Sequence, residues 1–239
     1  MFTSKFCHLL ASEAVIAGSI AAVAISEPAQ ADLLYTFDTF TGTGTPPAGP
    51  YGTVDLSQDG ANVDVTVTLA AGEGFTITGA GAALTWDLAG KPVVTMSNLD
   101  MAKFFVSHDG TPTGNLDGTG SWFYEIDCIA AACGSGGNHP YPGPLTFTID
   151  NISTADFISN GKTSTGYKFA SDICTQIGTD RTCAGITGDI AATFESATSI
   201  PEPAALSILA TALLCLPALR RRRDYLALHP SYPCIENLS

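Results

Sequence analysis

Alternation of apolar and polar residues is the clearest pattern in this chain. Between residues 62 and 69, valine or leucine stands at every second position, with Asp or Thr between them. Because successive side chains of a strand point to opposite faces, this period of two predicts a strand with one buried and one wet face. The same alternation recurs within 145–149 and 186–194.

Similar short segments, rich in Val, Ile, Thr, Phe and Tyr, are separated by Gly, Pro and Asn along most of the chain. No segment with a helical period lies between them, which argues against an α/β fold. We therefore predict an all-β fold, an antiparallel β-sandwich of jelly-roll type. Residues 156–159 fit either one helical turn or a further strand. The predicted strands are 33–38, 52–56, 62–69, 75–78, 83–88, 93–96, 103–107, 121–127, 145–149, 167–171 and 186–194.

The N-terminus differs from this strand-rich body. A short lead containing Lys5 precedes apolar and small residues from 14 to 25, and Ala29 and Ala31 stand where a signal peptidase reads small side chains. The pattern predicts a signal peptide at 1–31 and a secreted β-sandwich domain at 32–200.

The C-terminus has a second apolar segment, residues 204–219, which would rise about 24 Å as a helix. That is short of the roughly 30 Å hydrocarbon core, but arginine stems can snorkel toward the headgroups. A positive flank stays on the cytoplasmic side, so we predict a transmembrane helix at 204–219 and a cytoplasmic extension at 224–239. The flanking residues are Pro201, Glu202 and Pro203 before the helix and Arg220, Arg221, Arg222 and Arg223 after it.

The order Pro-Glu-Pro, short hydrophobic helix and arginine cluster resembles the PEP-CTERM sorting signal, here residues 201–223. Exosortase, a membrane-embedded transpeptidase-like enzyme of Gram-negative bacteria that make exopolysaccharide, recognises such signals. The resemblance implies transient residence in the inner membrane, cutting near the Pro-Glu-Pro element, and release to the cell surface or extracellular matrix. Exosortase and signal peptidase are then the partners during export. The extension at 224–239 departs from the usual pattern, so a permanent anchor is the alternative.

Parts of the body also resemble uncharacterised exosortase-exported proteins. The residues that carry this likeness are 122–126 running into Cys128, the pair Gly136 and Gly137, and segments 144–149 and 155–157. The likeness implies a location and brings no activity with it.

Four cysteines lie in the predicted secreted body: Cys128, Cys133, Cys174 and Cys183. An even number of cysteines in an exported domain indicates disulfides, because the compartment is oxidising. Of the three possible pairings we favour the local ones, since residues 129–132 and 175–182 can each turn. A tetrathiolate zinc site is the competing interpretation, but the spacings lack the usual two-residue knuckles.

The formal net charge of the chain is −13, and the body alone has the same balance. Such a surface repels nucleic acid, whose binders need basic stripes. It is compatible with divalent cations, and oxygen ligands cluster in the loop at 109–120, so we predict no cofactor, with calcium in this loop as the alternative. An EF-hand is excluded, because Thr113 and Tyr124 stand where that motif needs carboxylates. The weak calcium candidates are Asp109, Asn115 and Asp117.

We predict no catalytic residues. Ser107, His108 and Asp109 are adjacent, and neighbouring side chains on a strand point to opposite faces, so they cannot form a triad. Paired carboxylates for glycoside hydrolysis stay open, because their separations are unknown. The residues concerned are Glu73, Glu125 and Glu195.

Three long loops on the predicted sandwich, 41–50, 109–120 and 134–144, are the places where a ligand would be met. His139 and Tyr141 in the last of these could contact a sugar or a metal, with a solvated loop as the alternative. The predicted function is a non-enzymatic structural or adhesive component of the exopolysaccharide or biofilm matrix. The alternative is a carbohydrate-binding module or glycan-active enzyme at the cell surface.

Overall fold

The structure is a computed structural model that describes residues 32–79, 81–113, 115–116, 118–160 and 166–198, without the side chains of Asn115 and 194–198. Within these ranges, no helix is both long enough and apolar enough to cross a membrane. Several predictions lie outside the described residues: the signal peptide 1–31, the motif Pro201, Glu202 and Pro203, the helix 204–219, the cluster Arg220, Arg221, Arg222 and Arg223, and the extension 224–239.

Strands make up most of the described body, with one short helix, α1 (Ala130–Cys133), and a 3-10 turn at Thr154–Asp156. The strands are β1 (Asp32–Phe40), β2 (Gly52–Asp59), β3 (Asn62–Leu69), β4 (Gly74–Phe75), β5 (Ala82–Leu88), β6 (Met96–Ser97), β7 (Phe104–Asp109), β8 (Asn115–Leu116), β9 (Gly120–Ser121), β10 (Tyr124–Cys128), β11 (Leu145–Ile149), β12 (Phe157–Ile158), β13 (Phe169–Cys174) and β14 (Thr187–Thr198).

One antiparallel sheet joins nearly all of these strands, in the order β6-β11-β3-β2-β1-β14-β13-β5-β10-β7. β12 pairs with β5 and β4 pairs with β13, while β8 and β9 form a separate two-stranded ladder. The last strand, β14, therefore lies in the middle of the sheet, between β1 and β13.

The sheet curls until its two halves face each other. Trp86 in β5 and Phe147 in β11 have ring centroids 5.4 Å apart, although their strands lie six places apart in the order. A flat sheet would separate them by roughly 29 Å, at about 4.8 Å per strand. The main core fills the space between the two halves, where Trp86 also stacks on Tyr124 at 5.6 Å.

The all-β antiparallel prediction is confirmed. β3 has the predicted bounds, and Val63, Val65, Val67 and Leu69 are buried on one face as the alternation indicated. Two predicted strands are shorter in the structure: 75–78 keeps only its first residue, in β4, and 93–96 only its last, in β6. The ambiguous segment 156–159 is both a turn and a strand, because Ser153 caps the 3-10 turn and β12 follows it.

The predicted wet face is covered over part of the sheet. Every residue of β5 and β13 is buried. Leu116 and Trp122 from the segment around β8 and β9 pack on Ala170 and Ala191, on the face opposite the main core. Part of the loop at 109–120, expected to be an open recognition loop, is therefore a cover for this half of the sheet.

Candidate functional site

Both favoured cysteine pairings are present. Cys128 and Cys133 are disulfide-bonded with Cα atoms 5.8 Å apart, and Cys174 and Cys183 with Cα atoms 5.7 Å apart. The four thiols are therefore unavailable for a tetrathiolate zinc site. The first disulfide joins the end of β10 to the end of α1, and the second closes the loop that follows β13.

The loop at 134–144 bridges the two disulfide-closed segments. The Cys183 amide donates to the Gly137 carbonyl at 2.7 Å, and Asn138 forms an isolated β-bridge with Thr182. At the other side, the Gly136 amide donates to the Ile77 carbonyl at 2.9 Å. Backbone hydrogen bonds thus hold the loop in place, and residues carried on it have defined positions.

Gly134 makes this loop path possible. Its φ is +66°, and a Cβ built on it would lie 1.0 Å from the Asn138 carbonyl oxygen. Any side chain there would force the loop away from α1, so glycine is required for steric reasons beyond its φ.

A cavity of about 480 Å³ opens between the two disulfide-closed segments. We call it the disulfide groove. Its walls combine apolar residues from α1, the 134–144 loop and the second disulfide loop with three polar side chains. It is lined by Ala131, Ala132, His139, Pro140, Tyr141, Pro142, Ile177 and Arg181.

Two of the polar residues of the groove have a left-handed backbone conformation. His139 has φ 57° and Arg181 has φ 62°, and only five non-glycine residues in the described ranges have positive φ. A left-handed L-residue is strained by roughly 1–2 kcal/mol, least for Asn, Asp and His. Strain of this kind concentrates at functional sites, where the surrounding structure enforces it.

A tight turn fixes the backbone of Arg181. The Gly178 amide donates to the Thr182 carbonyl at 2.7 Å. The Thr182 amide and hydroxyl donate to the Asp180 carboxylate at 3.1 and 2.8 Å. These two hydrogen bonds, and to a smaller extent the charge of His139, hold the pKa of Asp180 below its ordinary value. The Arg181 side chain makes no hydrogen bond or ion pair with any described residue.

Tyr141 presents no free ring face for stacking. Its ring packs on Phe75 at 6.5 Å and meets Phe104 edge-on at 5.6 Å. The Lys103 ammonium lies 5.1 Å from the ring centroid. Trp86, Trp122 and Tyr124 are fully buried. None of these four rings therefore offers a face on which a sugar could stack.

A group of buried acids lies on the face of the sheet opposite the main core. Glu125 is only 5% exposed and lies close to Asp127 and Asp189. Burial first, then these neighbouring carboxyl groups, raise the pKa of Glu125 to about 8. Asp189 also lines a polar cavity of about 330 Å³.

Of the carboxylates proposed for glycoside hydrolysis, the structure describes the side chains of Glu73 and Glu125, and these two lie in different surroundings. Burial raises the pKa of Glu73 to about 7, and its Oε2 atom has no hydrogen-bond partner among the described residues. Glu73 and Glu125 have different neighbours. After burial, the charge of Glu73 contributes to the raised pKa of Tyr51, whereas Glu125 interacts with Asp127 and Asp189. Glu195 lies in β14 with its side chain outside the described atoms.

The Ser-His-Asp sequence forms no triad, as predicted. Ser107 Oγ donates to the Glu125 carbonyl at 3.3 Å, His108 Nδ1 lies 3.3 Å from Thr111 Oγ1, and Asp109 accepts the Val94 amide at 3.0 Å.

The calcium site at Asp109, Asn115 and Asp117 stays a prediction. The Asp109 carboxylate accepts a hydrogen bond from the Val94 amide. The Asn115 side chain is not described, and Asp117 lies outside the described residues. In the part of the chain that the structure covers, no group of three or more His, Cys, Asp or Glu side chains is placed to hold a metal ion.

Sequence reasoning identified His139 and Tyr141 but missed Arg181 and Lys103. Arg181 follows Gly178 and Asp180 within a disulfide-closed loop, and that turn-like composition was the only available signal. Arg181 lines the same cavity as His139 because the 134–144 loop is hydrogen-bonded to the segment closed by the second disulfide. Comparisons with known protein families, with curated protein sequences and with solved structures found no match for this chain.

Proposed function

We propose that this chain is an exported, non-enzymatic protein of the cell surface or the exopolysaccharide matrix, sorted by exosortase through a PEP-CTERM signal at 201–223. The observation that carries the proposal is the pair of disulfides in the body, Cys128 with Cys133 and Cys174 with Cys183. Disulfides of this kind persist in oxidising compartments. They lie between two terminal segments whose sequences are typical of export signals.

In this proposal, signal peptidase cuts after Ala31 and exosortase cuts near Pro201, Glu202 and Pro203. The segment 204–219 holds the chain in the inner membrane until that second cut. The cluster Arg220, Arg221, Arg222 and Arg223 stays on the cytoplasmic side, because positive flanks resist translocation.

A structural or adhesive role needs a stable scaffold and no cofactor. The contact of Trp86 with Phe147 across the curled sheet supports a sandwich-like, jelly-roll-related body with one continuous core. The separate partners of Ser107, His108 and Asp109 support a role without hydrolase chemistry.

Glycan binding at the cell surface is the second candidate, and the disulfide groove favours it. The groove combines an apolar lining with His139, Tyr141 and Arg181 in a volume of about 480 Å³. Ligand sites in proteins are typically cavities of roughly 300–1,000 Å³ with a few placed polar groups.

Mass spectrometry of the native protein from its producing cells tests the main proposal. We expect a mature N-terminus at Asp32, a C-terminus near Pro203, and both disulfides intact. Replacing Arg220, Arg221, Arg222 and Arg223 with alanine is expected to reduce sorting while leaving the folded body unchanged. An intact peptide spanning Pro203 and Leu219 in the surface form would overturn the exosortase step.

A further inference from the structure

We propose that the disulfide groove binds a carboxylated sugar residue of an acidic polysaccharide, with Arg181 as the residue that receives the carboxylate. This inference rests on the second proposed function, glycan binding, and specifies the class of glycan.

The charge of the groove is the first argument. The chain has a net charge of −13, so cationic groups are scarce. The described lysines already have partners: Lys91 lies over the Phe123 ring, Lys103 pairs with Asp100, and Lys168 donates to the Phe157 carbonyl. Arg181 is exposed and has no side-chain partner among the described residues. A guanidinium presents a planar fork that matches a carboxylate in two parallel hydrogen bonds.

The backbone of Arg181 is the second argument. At φ 62°, glycine or asparagine would satisfy the turn with less strain than arginine. His139, on the opposite loop, has the same left-handed conformation and lines the same cavity. The left-handed backbone at both positions is explained by a shared ligand, since such strain concentrates at functional sites and the Arg181 side chain makes no hydrogen bond or ion pair with the described residues.

The mixed lining selects a sugar over an acidic side chain. Pro140, Pro142 and Ile177 provide an apolar surface for the C–H face of a pyranose ring. Tyr141 and His139 offer hydroxyl and imidazole groups for sugar hydroxyls, and Arg181 takes the carboxylate. A uronic acid residue has all three kinds of surface, whereas an Asp or Glu side chain offers mainly a carboxylate.

Isothermal titration of the full chain, purified in mild detergent, with polygalacturonate tests this assignment. We expect saturable binding that weakens with added salt, because the contact is charge-assisted. Arg181→Asn, which keeps a left-handed backbone but removes the guanidinium, should weaken binding about tenfold or more. Lys91→Asn is the matched control: it removes one cation from a residue with φ 51° that is not part of the groove lining.

Dextran, a neutral glucose polymer, and polyglutamate, an acidic peptide, complete the experiment. Neither should bind with comparable affinity. Equal binding of polyglutamate would overturn the sugar assignment in favour of an acidic peptide. Absent binding of polygalacturonate, or equal losses in Arg181→Asn and Lys91→Asn, would overturn the site itself. Export and tail processing are read from mass spectrometry of the native protein, so a failure here leaves the main proposal standing.

Discussion

Glu125 and Asp127, two residues apart on β10, have neighbouring carboxyl groups. Glu125 is buried, and burial together with the neighbouring Asp127 raises its pKa from 4.5 to about 8. A buried acid with a raised pKa makes the stability of the fold depend on pH.

Glu125 stabilises the fold most at low pH. Because the folded pKa of Glu125 exceeds its unfolded value, its contribution is fully present below about pH 4.5 and is lost as pH rises toward about 8. Glu125→Gln keeps a neutral donor at every pH, so the free energy of unfolding should fall less between these two values. Urea unfolding at the two ends of this range measures the difference.

Glu73 adds a slope in the same direction, because burial raises its pKa to about 7. The double variant Glu73→Gln, Glu125→Gln should therefore show the smallest dependence on pH. Asp59→Asn, at an exposed position, is the control and should leave the profile unchanged. If the stability of Glu125→Gln depended on pH as steeply as that of the wild type, the raised pKa of Glu125 would be contradicted.

The loop that carries His139 should fail when Gly134 acquires a side chain. Gly134→Ala places a methyl group on the Asn138 carbonyl and is expected to lower the free energy of unfolding by more than about 2 kcal/mol. Gly136→Ala is a matched control, since Gly136 also has φ +66° but has nothing within 4 Å of its added Cβ. Its loss should be about 1 kcal/mol, from backbone strain alone. Chemical unfolding compares the two, and equal losses would show that the steric contact is unimportant.

Removing the strained arginine should stabilise the protein. Arg181→Gly relieves left-handed strain, partly offset by the entropy of glycine, so the free energy of unfolding should rise by roughly 0.5–1 kcal/mol. Thr179→Gly, in the same turn, adds the entropy without the relief and should lower it. Thermal unfolding of both variants provides the test. A destabilised Arg181→Gly protein would mean that the arginine side chain supports the fold.

The disulfide of Cys174 and Cys183 should stabilise the fold by an amount that its loop length sets. Its sequence separation is 9, which in the chain-entropy description corresponds to roughly 2.5–3 kcal/mol. The variant Cys174→Ala, Cys183→Ala should lose about this much stability in urea unfolding. The disulfide of Cys128 and Cys133 closes a shorter loop, with a separation of 5. The variant Cys128→Ala, Cys133→Ala should therefore lose about 2 kcal/mol of stability. An unchanged free energy of unfolding in both variants would contradict a stabilising role.

Local patterns predicted the elements of this fold well. The alternation in 62–69 matches β3, because one of its faces meets the core and the other meets water. The two cysteine pairings were also predictable, since each pair closes a short segment.

Features that depend on contacts between distant segments were not predictable. Burial of both faces of β5 requires Leu116 and Trp122 to fold back over the sheet, and no periodicity reports that cover. The placement of His139 and Arg181 along one cavity likewise depends on the hydrogen bond between Cys183 and Gly137. The position of β14 in the middle of the sheet follows from the whole topology.

The pairing of β1 with β14 brings the first and last described residues, Asp32 and Thr198, side by side as register partners. Both flanking segments therefore leave the body at the same point on its surface. A chain tethered through either end would present the same far side to its surroundings. The ends could also be joined by a short linker and new ends opened in the exposed loop at 44–50, giving a circular permutant with an unchanged sheet.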